Sequence, residues 1–124
     1  MVVVVDGLRW VNSLAFFEGG LYVADTQEGQ IRAFDVAADG SLSGGRKLAD
    51  VPAPDGIRVD ADGRVWSSSS LGVVVFDESG ATAQTITFPQ QPSNVAFGGK
   101  DGKTLYVTAR TAVYKIQTSV AGSK

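Results

Sequence analysis

The feature that most restricts the fold of this chain is a phrase spoken three times. Each copy opens with a polar residue and a short apolar run: Asn12–Phe16 (NSLAF), Asp55–Val59 (DGIRV) and Ser93–Phe97 (SNVAF). A glycine-rich turn follows, at Glu18–Gly20, Asp60–Gly63 and Gly98–Gly102. An aromatic stretch comes next: Leu21–Ala24 (LYVA), Val65–Ser68 (VWSS) and Leu105–Thr108 (LYVT). A further apolar run closes each copy, at Ile31–Asp35, Val73–Asp77 and Val113–Ile116. Asn12, Asp55 and Ser93 fall in register, 43 and 38 residues apart.

Runs this short cannot compete as helices, and a period of about 40 residues built from short β-rich runs and glycine turns is that of a propeller blade. The sequence therefore predicts an all-β chain of three propeller blades, a half-propeller, over about 9–49, 51–88 and 91–117. The outer strands of the first two blades are expected at Arg46–Ala49 and Thr82–Phe88, whereas little remains after Ile116 to make a third. Trp10, Trp66, Tyr22, Tyr106, Phe34 and Phe76 are expected as core between blades.

Propellers close with about four to eight blades, so three cannot form a ring. Two copies about a two-fold axis would make six. The apolar run Met1–Val5 reads as a strand without a blade of its own, and the expectation is a homodimer in which this strand completes the third blade of the partner chain. A piece of a longer propeller is the competing expectation.

Composition narrows the chemistry. With no Cys there is no thiolate nucleophile, and with no His there is no Ser-His-Asp triad or imidazole base. Any site must come from carboxylates, amides, hydroxyls, Lys or Arg, and such donors hold hard cations. Eleven basic against thirteen acidic residues, a net charge of −2, exclude an electrostatically driven nucleic-acid or anionic-membrane partner. Met1–Val5 is too short to span a bilayer and lacks the marks of a secretory signal, so the expected location is cytoplasmic.

The stretches WVNSLAFFEGGLYVADT, PAPDGIRVDADGRVWSSS and PSNVAFGGKDGKTLYVTAR, in this order, resemble consecutive motifs of the senescence marker protein/gluconolactonase (regucalcin-like) family. The likeness runs from about Val2 to Ile116. The resemblance implies the C-terminal half of a six-bladed propeller that binds a divalent cation in its channel and hydrolyses lactones or related esters. It implicates Asn12 and Asp55 as metal ligands and Asp55 as general base. The family writes Asn-Gly where this chain has Asn12-Ser13. Its remaining protein ligand, a Glu, and further substrate-binding Asn and Arg residues lie in blades that have no counterpart here. Calcium is the first expectation for the cation, with magnesium, manganese or zinc as alternatives, and a small-molecule lactone is the expected substrate.

Asp25, Ser93 and Asn94 are candidates for lining the channel, Asp25 alternatively for capping a turn. Asp60 and Asp62 imitate a calcium loop but lack its remaining ligands, and are expected as hairpin residues. The run Ser67–Ser70 has no base to activate a nucleophile. A second reading stays open: a half-propeller that binds a cation or self-assembles without turnover, favoured by the missing Glu.

Overall fold

A computed structural model describes residues 1–124 as eleven strands in three antiparallel sheets. The first sheet is β1 (Val11–Phe17), β2 (Gly20–Asp25), β3 (Gln30–Val36) and β4 (Leu42–Asp50). The second is β5 (Ile57–Val59), β6 (Val65–Ser69), β7 (Gly72–Phe76) and β8 (Thr82–Ile86). The third has β9 (Asn94–Gly98), β10 (Thr104–Ala109) and β11 (Ala112–Gln117) and no fourth strand. Within each sheet consecutive strands pair, giving three meanders stacked face to face, and no helix is long and apolar enough to cross a membrane. The half-propeller is thus the fold of this chain.

Turn chemistry explains the tight hairpins. Glu18 and Gly19 both take positive φ, 45° and 77°, the conformation that a two-residue loop needs to match the twist of its strands. Phe17 then pairs with Gly20 and the register runs unbroken back to Ser13 opposite Ala24.

Two cores lie between the sheets. Tyr22, Ala24, Ile31 and Ala33 of the first sheet meet Ile57, Val59, Val65, Val74 and Phe76 of the second. The other face of the second sheet, through Trp66, Val73 and Val75, meets Val95, Leu105 and Val107 of the third. Because the middle sheet is covered on both sides, every residue of β6 and β7 is buried. That is why VVVF is continuously apolar, whereas β11 alternates half-buried with exposed.

Met1–Val5 is exposed and pairs with no strand of its own chain; the pairing expected for it is with a partner chain. One expectation needs correction. Trp10 is 65% exposed and Tyr106 41%, so neither belongs to the core of this chain, while Trp66, Tyr22, Phe34 and Phe76 do. Of its two expected roles Asp25 takes the turn cap: its buried carboxylate accepts the Glu28 N–H at 3.2 Å.

Candidate metal and hydrolytic rim

The inner strands β1, β5 and β9 begin at one rim, and the loops before them are tied together across the blades. The Pro54-Asp55-Gly56 loop is the middle of this arrangement. From the first blade, Thr26 donates its hydroxyl to the Pro54 carbonyl, and the Ser13 hydroxyl accepts the Ile57 N–H at 3.2 Å. Toward the third blade, the Gly56 N–H points to the Ser93 carbonyl at 3.0 Å. The same N–H also meets the Ser68 hydroxyl at 2.9 Å, and the Asp55 N–H reaches the Ser68 carbonyl at 3.2 Å.

Residue 56 has to be glycine. A Cβ there would lie 2.1 Å from Asn94 Oδ1 and 2.6 Å from its Cα, closer than any real side-chain contact. The packing of the third blade against the loop depends on that missing atom.

Asn12 and Asp55 are connected through one hydroxyl. The Asn12 amide donates to Thr26 Oγ1 at 3.3 Å, and Thr26 in turn donates to the carbonyl just before Asp55. With the amide nitrogen engaged, Asn12 Oδ1 is the atom left to bind. The Asp55 carboxylate is half-buried and accepts no hydrogen bond from the protein, and burial alone pushes its pKa above the ordinary carboxylate value. A half-buried carboxylate without a donor is an electrostatic deficit that a cation would fill.

Ser93 and Asn94 share the rim but are engaged locally. The Ser93 hydroxyl lies 3.1 Å from the Thr108 hydroxyl, and Asn94 Oδ1 accepts the neighbouring Val95 N–H at 2.9 Å. Both remain exposed.

Asp25 is 1% exposed and accepts backbone N–H groups from Arg9, Trp10 and Glu28 at 2.8, 2.9 and 3.2 Å. Burial by itself would raise its pKa. The three backbone donors and the Arg9 charge outweigh that and hold the carboxyl below its ordinary range. It fastens the segment before β1 to the β2–β3 turn, so Asp25 positions the rim without belonging to it.

Nowhere in the chain do three Asp or Glu residues converge as a cation cage. The donors on offer are Asn12 Oδ1 and the Asp55 carboxylate, oxygen atoms of the kind that calcium or magnesium prefers, and they make a partial set. Thr26 and Ser13, which position these two, escaped the sequence reading. The only trace of Thr26 is its place directly after the strand ending in Asp25. A groove of 540 Å³ runs among the inner strands, lined by Leu14, Phe16, Arg58, Ala96 and Phe97 and by the C-terminal Gly122–Lys124.

Residues 1–111 match the family model described as the SMP-30/Gluconolactonase/LRE-like region. The chain is 30% identical over 100 residues to lactonohydrolase oryH of Aspergillus oryzae, covering 78% of this chain and 21% of that protein. A solved gluconolactonase from Xanthomonas campestris superposes with a TM-score of 0.79 at 36% identity, over 94% of this chain and 39% of that one. A calcium-binding regucalcin from Agrobacterium tumefaciens, at 22% identity, shares the fold with a TM-score of 0.82, over 94% of this chain and 48% of that one. The curated relatives are spanned over only 20% to 38% of their length.

Proposed function

The chain belongs to the SMP-30/gluconolactonase/LRE-like family, and from that premise we propose that its Asn12–Asp55 rim takes part in divalent-cation-assisted hydrolysis of a sugar-acid lactone. The observation that carries this reading is the Asp55 carboxylate, half-buried and without a donor of its own, in a loop that the Thr26 hydroxyl joins to an asparagine whose oxygen accepts no hydrogen bond.

Asn12 Oδ1 and one Asp55 oxygen would hold the cation. When bound, such an ion supplies positive charge where the lactone carbonyl oxygen becomes negative. Asp55 accepts a proton from water as the water oxygen adds to the carbonyl carbon. The ring C–O bond then breaks, and the departing alkoxide takes a proton back, leaving the open-chain hydroxy acid. Burial raises the Asp55 pKa in the empty site, and a bound cation would offset that shift. Thr26 keeps the asparagine oriented and Gly56 keeps the loop seated against Asn94.

Gluconolactone hydrolysis, followed by acid release with calcium, magnesium, manganese or zinc added and then removed by chelator, tests this. The expected result is turnover that appears with cation and disappears with chelator. Hydrolysis indifferent to both would reject the mechanism. A second reading, cation binding without turnover, draws on the partial donor set. It predicts a higher unfolding temperature with cation and no hydrolysis.

A further inference from the structure

The three sheets pack by one rule. Side chains equivalent to Ile57, Val59 and Val65 form the front of a blade, and those equivalent to Tyr22, Ile31 and Ala33 form its back. The back of the first sheet meets the front of the second, and the back of the second meets the front of the third. At the second of these contacts Trp66 meets Phe97 edge to face, with ring centroids 5.4 Å apart at 82°.

Two surfaces are left over, and they are the two halves of this same contact. On the front of the first sheet, Leu14 and Phe16 are 58% and 61% exposed, although their equivalents Ile57, Val59 and Val95 are buried. On the back of the third sheet, Tyr106 and Val113 are 41% and 69% exposed, although their equivalents Trp66 and Val73 are buried. Leu8 does not fill the gap. It rests against Leu21, Val23 and Phe34 in the place that Val51, 43 residues later, holds at the second blade. On the same front, Arg32 Nε is buried without a hydrogen-bond partner. Lys115 departs from the pattern, standing where Val75 and Ala33 stand; its aliphatic stem can cover the face with the amine at the rim.

We propose that a second copy of this chain covers both surfaces, head to tail, so that Phe16 of each copy meets Tyr106 of the other as Phe97 meets Trp66 within the chain. Three blades turn through about half of a six-bladed circle, so two copies related by a two-fold axis close with two such contacts and no free apolar face. Such a contact repeats an interface already formed twice inside the chain and involves no catalytic role.

The experiment is a light-scattering mass of the 124-residue chain, of Phe16→Asp, of Tyr106→Lys, and of the two variants mixed. The wild type should show twice the 12.9 kDa chain mass. Each variant alone should run as a monomer with unchanged circular dichroism, because both residues are exposed within one chain. Mixing should restore the dimer, since one contact then regains both native rings and the other sets a new carboxylate against a new amine. A cooperatively folded wild-type monomer would overturn the proposal. So would variants that remain dimeric, or a mixture that stays monomeric beside a dimeric wild type, which would mean a pairing other than head to tail.

Discussion

Replacing Asp55 by Asn should reduce cation-dependent lactone hydrolysis on the order of 10²–10⁴-fold, the usual contribution of a positioned proton acceptor, and should leave the fold intact. Asparagine has nearly the shape of aspartate, and no hydrogen bond of the protein ends on the Asp55 carboxylate, so the packing of the loop loses nothing. Stability without cation should even improve at neutral pH. A carboxyl whose pKa is raised in the fold is protonated in both states in strong acid and costs nothing there. As pH rises through the carboxyl range, the unfolded chain ionises first, so the buried group subtracts stability once both are charged. The variant removes that penalty. Unfolding temperature and hydrolysis rate of the same preparations therefore separate: the first holds or rises while the second falls. A variant with wild-type turnover would remove Asp55 from the chemistry.

Asp60→Ala should act in the opposite way, costing about 3 kcal/mol of stability, at the lower edge of what breaking a buried ion pair costs. Asp60 is fully buried and accepts the backbone N–H groups of Asp62 and Arg64, Arg64 Nε and the Trp66 indole N–H, at 2.9 to 3.0 Å. Truncation leaves the indole donor enclosed without a partner. Trp66 is also the ring that abuts Phe97, so the loss reaches the contact between the second and third blades. Arg64 is one-third exposed and can turn to water, which keeps the effect near the lower edge. Against a typical margin of about 5–15 kcal/mol this is a large fraction. Urea unfolding at neutral pH measures it. Asp62→Ala serves as the control and should shift stability by no more than about 0.5 kcal/mol, because its side chain is mostly in solvent. Equal effects at the two positions would contradict this account of the turn.

These two aspartates show what could and could not be read from the residues. The blade repeat was legible because it is a backbone pattern: apolar runs, glycine turns and an aromatic strand recur at fixed spacing and need no tertiary information. For the same reason Asn12, Asp55 and Ser93 could be assigned to one rim, since equal positions in successive blades lie side by side. Asp25 and Asp60 were harder. Each stands at the end of a strand just before a turn, as a solvent-facing turn residue would, and only the fold reveals that one pins the N–H groups of Arg9 and Trp10 while the other reaches an indole six residues away. Trp10 and Tyr106 misled in another way. Tyr22 and Trp66, the equivalents of Tyr106, are buried between sheets, and no sheet packs against the third on that side. Ala53 and Gln91, the equivalents of Trp10, are not buried. Thr26 went unnoticed because a single hydroxyl carries no period.

The account turns on Asn12 and Asp55 sharing one cation, and calorimetric titration of the chain with calcium at neutral pH addresses that without any assumption about substrate. Saturable binding to the wild type, lost in Asn12→Ala and in Asp55→Asn, is the result it predicts. Undiminished binding in both variants, or none in the folded wild type, would contradict it.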